Sequence, residues 1–325
     1  MIIRVHGSRG SHPVATMPSR VEELKKNLFE LFKESNAQSF EEFQSFLSEK
    51  PRHLHQIFGG NTTCIEINSD MLPMPLFFDA GTGLTAASID PRSSLQTKEF
   101  LIGKGEAAIF FTHTHWDHVS GLVTIPQIFM ENNQFHFYGV HEDLEGRVKD
   151  LFDPRYFPVP YSLLKPRASY HQIALGSAVR LGPVKIDHHP QSHPGGSFAY
   201  RVSDGKKTFV LATDTDLKNT NEPHMTPGDN VYSNADFMVL DAHFSPEDFI
   251  NKEDFGHAHL ETAIDFGIRE KAKVLYLFHQ SPFYSDKDID DQLSRAWDYV
   301  KKSHPDSTTE IRIAIDGDEI DLYKD

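Results

Sequence analysis

The chain has 325 residues, 38% of them hydrophobic and 24% charged, which suits a soluble globular protein with a sizeable core. Its 47 acidic side chains outnumber 32 Lys and Arg, for a formal net charge of −15. That balance argues against a polyanion partner, because nucleic-acid binders hold phosphates with a basic face.

In chain order, "MIIRVHGSRG" at the start shows no basic region leading into an apolar core, so no secretory signal is expected. Ile2–Val5 reads as a strand. Residues 19–50 carry Val21, Leu24, Leu28, Leu31 and Phe32 on one stripe and Phe40, Phe43 and Phe46 on another. They read as an inserted helical hairpin, packed on the core or serving as a lid or dimer contact. Thr63–Ile67, Leu76–Phe78, Ala108–Phe111 and Phe135–Tyr138 follow as strands. Cys64 is the single cysteine, which excludes an internal disulfide framework and suits a reducing compartment. Residues 150–171 are rich in Pro and aromatics and read as an ordered inserted loop. Val184–Ile186, Phe198–Val202, Thr208–Ala212, Phe237–Leu240, Val274–Phe278 and Ile311–Ile315 complete the strands. Helical spacing marks Leu260, Ala263, Ile264 and Ile268, and again Ile289, Leu293, Trp297 and Val300. No apolar run reaches membrane-spanning length. The expectation is one cytoplasmic α/β domain over residues 1–325.

Six of these apolar runs lead into a residue able to bind metal or move a proton: Asp79, His113, His193, Asp214, Asp241 and His279. Open sheets collect their sites at the carboxyl ends of strands. The run "FFTHTHWDHVSG" adds His115, Asp117 and His118 to His113. In extended backbone His113, His115 and Asp117 point one way and His118 another, which suits two metal ions. Imidazole and carboxylate without thiolate favour Zn2+, with Mn2+ and Fe as alternatives.

"THTHWDH" resembles the His-x-His-x-Asp-His motif of the metallo-β-lactamase fold, an αββα sandwich. "GSRGS", "GGNTTC", "FFDAGTG", "SHPGGSFAYR", "ATDTD", "DAHFSPEDF", "GHAHLETAIDF" and "LFHQSP" follow in the order of its ribonuclease Z and cyclic-phosphodiesterase branch. The resemblance implies one ion on His113, His115 and His193 and a second on Asp117, His118 and His279, with Asp214 bridging. His188 and His189 rival His193 for its place. Asp79 would orient a ligand histidine, and Asn61 and Arg9 are read as supporting the site or as structural. The resemblance also implies His257 as general acid, held by Asp241, with His259 as a rival. Two dications would lower the pKa of a bridging water, supply the nucleophile and neutralise phosphodiester oxygens.

The expected substrate is a small phosphodiester, foremost a cyclic nucleotide. A tRNA 3′-end endonuclease is the alternative, weakened by the acidic charge and by acids interleaved among the basic residues of 141–171. A lactone or thioester hydrolase, or a metal-binding sensor, is a third reading. The general-acid pair speaks against it, since a good leaving group needs no dedicated acid. Tyr156, Phe157 and Tyr161 are candidates for stacking on a base, or for core packing. Relatives of this kind are commonly dimers, so a homodimer is expected.

Overall fold

The computed structural model describes residues 1–92, 95–164, 166–217, 230–250 and 252–324. Two seven-stranded sheets stack face to face. The first holds β1 (Ile2–Gly7), β2 (Cys64–Asn68), β3 (Leu76–Phe78), β4 (Glu106–Phe110), β5 (Gln134–Gly139) and β6 (Arg167–Gln172). The second holds β7 (Val179–Leu181), β8 (Val184–Gln191), β9 (Ser197–Ser203), β10 (Thr208–Ala212), β11 (Phe237–Asp241), β12 (Val274–Phe278) and β13 (Glu310–Ile313). The last strand, β14 (Glu319–Asp321), returns to the first sheet beside β1. The order is β14-β1-β2-β3-β4-β5-β6 in one sheet and β13-β12-β11-β10-β9-β8-β7 in the other.

Between and after the strands run α1 (Pro18–Ser35), α2 (Phe40–Leu47), α3 (Gly83–Ala87), α4 (Leu95–Leu101), α5 (Trp116–Val119) and α6 (Leu144–Asp150). The chain then adds α7 (Pro246–Phe249), α8 (Leu260–Arg269) and α9 (Asp286–Ser303). None of the described helices is long and apolar enough to cross a membrane.

The strand sequences explain the layers. Alternate residues of β10, β11 and β12 face opposite ways, as a period of two requires. Phe209, Leu211, Phe237, Val239, Tyr276 and Phe278 enter the core between the sheets. Val210, Met238, Leu240, Leu275 and Leu277 face outward, where α8 and α9 cover them with Ile264, Leu293 and Ala296. On the other sheet Ala108 and Phe110 point in, while Ala107 and Ile109 meet Leu84, Phe100 and Val148 of α3, α4 and α6. Both faces of these strands are therefore buried, which is why they read as unbroken apolar runs. Phe110 stacks on Tyr138 at 4.3 Å between ring centroids. Each such side chain contributes about 1.5–3 kcal/mol of burial.

Three strands escape the sequence reading. The end of the stretch expected to be a loop forms β6, paired parallel with β5 from Gln134↔Arg167 to Gly139↔Gln172. Its sequence, Arg-Ala-Ser-Tyr-His-Gln, lies on a sheet edge with much of its surface wet, so it lacks an apolar run. The other two, β7 and β14, are three residues each and also close sheet edges.

Residues 19–50 lie largely in α1 and α2, pinned to each other by an edge-on Phe32–Phe43 contact at 5.3 Å. Arg20 ties α1 to the body by an ion pair to Asp286 at 3.0 Å. Leu31 and Leu47 are the residues these two helices bury, while Phe29 and Phe40 stay exposed.

Candidate metal centre

The parallel strands aim their carboxyl ends at one edge of the sandwich. Asp79 follows β3, Thr112 and His113 follow β4, Asp214 follows β10, Asp241 ends β11 and His279 follows β12. Three of these residues turn the chain sharply. Asp79, Asp214 and His279 have φ of 58°, 56° and 61°. Left-handed backbone is uncommon for side chains with a Cβ, and such strain gathers where function needs a fixed direction.

The turns bring two groups of side chains together. The donor atoms of His113, His115 and His193 lie within 4.8 Å of one another, and so do those of Asp117, His118, Asp214 and His279. Asp214 faces both groups. Its Oδ1 is 3.8 Å from Nε2 of His113 and of His193. Its Oδ2 is 3.1 Å from His118 Nε2 and 3.4 Å from His279 Nε2. A carboxylate so placed can bridge two cations.

The ring nitrogens that turn away from the centre are fixed by the protein. His118 Nδ1–H donates to Asp79 Oδ2 at 2.8 Å, and Asp79 in turn accepts from Thr112 N and Oγ1 at 2.8 and 2.7 Å. His193 Nδ1–H donates to the Gly256 carbonyl at 2.9 Å. These bonds leave Nε2 of each ring as a lone-pair donor toward the centre. Ser11 N–H holds Asp117 Oδ2 at 2.7 Å. Gly10 lets the first loop cross over the site, because a Cβ there would lie 2.5 Å from the His279 ring.

Divalent cations fit this donor set. Nε2 of His113 is buried without a hydrogen-bond partner among the described residues, an arrangement that costs free energy unless something binds there. Burial opposes a charge on His118, yet Asp214, Asp117 and Asp79 raise its pKa well above the ordinary value. That direction reports concentrated negative charge, which a dication would neutralise. Burial and the neighbouring His118 hold His113 well below the ordinary range, neutral as a ligand must be.

Beside these groups lies a hydrogen-bonded pair. His257 Nδ1–H donates to Asp241 Oδ2 at 2.8 Å. Asp241 also accepts from the backbone N–H of Asp214, His243 and Ala258 at 3.0, 3.1 and 3.2 Å. Burial disfavours a charged His257, but Asp241 prevails and raises its pKa to about 9. Asp241 reaches its partner because β11 itself carries it to the centre.

The rivals lie elsewhere. His188 and His189 stay in β8, beside Phe198 and Tyr232. His259 meets Thr262 Oγ1 at 2.7 Å at the start of α8. Asn61 bonds Asp316 Oδ2 at 3.1 Å, and Arg9 donates to the Ser281 and Tyr284 carbonyls, so both brace loops rather than the donor set. Phe157 and Tyr161 pack around Phe152 at 5.7 Å each, and Tyr156 lies under Arg155, away from the centre. One residue went unnoticed in the sequence. His243 stacks on His257 at 4.4 Å and 17°, and its Nδ1 bonds the His279 carbonyl at 2.7 Å. Its place two residues after Asp241 was the available signal.

The centre opens into a cleft of about 530 Å³ lined in part by Ser11, Thr114, His115, Asp117, His193, Asp214 and His257. A family model described as the beta-lactamase superfamily domain matches residues 76–280. No curated protein matches the chain. The chain is similar in structure to the metallo-beta-lactamase fold protein YhfI from Bacillus subtilis, at TM-score 0.62 and 16% identity over 98% of both chains. It is similar to the short form of human tRNase Z, at TM-score 0.61 and 14% identity over 99% of both chains. Unliganded yeast PDE1 gives TM-score 0.61 and 12% identity over 98% of both chains. With the two helix-flanked sheets and the family match over residues 76–280, the chain belongs to the beta-lactamase superfamily and has the metallo-β-lactamase fold.

Proposed function

We propose that this chain is a dinuclear-metal phosphodiesterase acting on small phosphodiesters, foremost cyclic nucleotides. The observation that carries the reading is the His257–Asp241 pair at 2.8 Å, set in the cleft beside the two donor groups. His113, His115 and His193 would hold one ion, and Asp117, His118 and His279 the other, with Asp214 between. When bound, two divalent ions, Zn2+ foremost, would supply a nucleophile at neutral pH and neutralise the phosphodiester oxygens.

The rest falls to the chain's own groups. With Nδ1 committed to Asp241, His257 has only Nε2–H to offer a substrate. Burial opposes the protonated ring and Asp241 favours it. Donation to the departing alkoxide removes the charge that makes such a group a poor leaving group. Asp241 holds the ring in one tautomer and stabilises its charged form.

Similarity to structures named as a tRNase and a diphosphatase favours phosphorus chemistry. The tRNA reading requires a basic clamp. In residues 141–171, Lys149 and Arg155 instead pair with Glu145 and Asp153 at 2.6 and 2.5 Å. Together with the net charge of −15, this favours a small substrate.

His257→Ala should keep both ions and lose roughly 10²–10⁴-fold in kcat on a cyclic nucleotide. The loss should be much smaller on bis(p-nitrophenyl) phosphate, whose leaving group needs little protonation. Equal losses on the two substrates would remove the acid role.

A further inference from the structure

We propose that Trp116 and Phe255 form the specificity walls of the cleft and hold a nucleobase, which makes a mononucleotide the substrate class. The inference rests on the phosphodiester reading above and deepens it.

Both side chains line the cleft that contains His257 and Asp214. Both are largely in solvent, Trp116 at 62% and Phe255 at 59% exposure. A single exposed apolar side chain is ordinary, but two large rings facing one cleft mark a binding surface. Neither ring has an aromatic or cationic partner among the described residues. Tyr156, Phe157 and Tyr161 are not among the described residues that line the cleft, whereas Trp116 and Phe255 stand there beside the imidazoles of His115, His193 and His257.

Their positions are set by the metal centre itself. Trp116 opens α5 between His115 and Asp117, whose side chains turn to the two donor groups. Phe255 precedes Gly256, whose carbonyl accepts from His193 Nδ1 and whose φ is 77°. A Cβ on Gly256 would lie 2.6 Å from His193 Nδ1, so this segment is seated tightly against a donor histidine. One ring thus stands on the side of the His-x-His-x-Asp-His turn and the other on the side of His257. A phosphodiester held at the centre brings whatever it carries to these rings. Every nucleobase has a flat face that stacks on an indole or phenyl ring.

The test uses metal-loaded wild type, Trp116→Ala, Phe255→Ala and the aromatic replacements Trp116→Phe and Phe255→Trp, each with metal content measured. Two substrates are compared: a 2′,3′-cyclic nucleotide and 1-O-methylribose 2′,3′-cyclic phosphate, which has the same phosphodiester without a base. The readout is the ratio of their kcat/KM values. Each alanine variant should lower that ratio by roughly 5- to 150-fold, the loss of one base–aromatic stack. The aromatic replacements should restore most of it. A ratio within twofold of wild type in both alanine variants would overturn the inference. If the metal-loaded protein turns over neither of these two substrates nor a 3′,5′-cyclic nucleotide, the phosphodiesterase reading fails, and binding then decides the stack separately. In that case AMP should bind more tightly than ribose 5-phosphate by calorimetry, and the preference should vanish in Trp116→Ala. Equal affinity of the wild type for the two would overturn the stack.

Discussion

Asp214 presents one oxygen to each donor group, so its removal should do more than weaken one site. Asp214→Ala should bring bound metal well below two ions per chain, read by elemental analysis; two ions retained would take Asp214 out of the bridging place. Asp79→Ala leaves the donors intact but frees the His118 ring, and should weaken metal affinity roughly 10- to 100-fold. A third residue acts at a distance from the donor atoms. Asp316 accepts from Ser8 N and Oγ, Gly60 N and Asn61 N and Nδ2, binding the two glycine-rich loops to each other. Asp316→Ala would orphan these donors and should cost roughly 3 kcal/mol or more in urea unfolding. Burial lifts the Asp316 pKa from 3.8 to about 6, against the hydrogen bonds that lower it. A carboxyl raised in the folded state binds its proton more tightly there. Its contribution to stability is therefore full below the unfolded value near 3.8 and is lost as pH rises through about 6. Stability of the wild type relative to Asp316→Asn should fall across that window; a flat difference would contradict the raised pKa. His113, Asp214 and His279 were legible because each follows an apolar strand, and His115, Asp117 and His118 because they crowd one short run. Asp316 was not, because one aspartate beside a glycine shows nothing in sequence of the five donors folded around it.

At the scale of elements, legibility follows burial. The strands β4, β10, β11 and β12 are covered on both faces, so their sequences are continuous apolar runs with a polar residue marking the end. The edge strand β6 is half wet and carries no such run. Helix α9 was read from its stripe, and its start is fixed by a capping box in which Ser285 and Asp288 satisfy each other's backbone N–H. Ser285→Ala should cost about 1 kcal/mol in chemical unfolding, with the urea midpoint shifted and the slope unchanged. The α1–α2 hairpin presents Phe29 and Phe40 to solvent beside an otherwise compact sandwich. We expect it to act as a lid or as a homodimer contact. Deleting residues 19–50 should change either solution mass or substrate range, and a deletion that changed neither would exclude both roles.

For the whole molecule, buried Asp117, Asp214 and Asp241 meet buried or half-buried His113, His118, His193, His243, His257 and His279 at one edge of two sheets. Without a cation, those carboxylates repel one another in a poorly solvated space. Chelation should therefore lower the thermal midpoint as well as abolish turnover, with both restored by Zn2+ or Mn2+. The fold itself was readable from motif order along the chain. The substrate was not, because its recognition depends on which side chains the folded walls leave exposed, and Trp116 sits unremarked inside the metal motif. The most direct measurement is turnover by one metal-quantified preparation offered 3′,5′- and 2′,3′-cyclic nucleotides beside a precursor tRNA with a 3′ trailer. The predicted result is two ions per chain, hydrolysis of a cyclic nucleotide and intact tRNA. Trimmed tRNA with untouched cyclic nucleotides, or no phosphodiester turnover at full metal occupancy, would contradict the account.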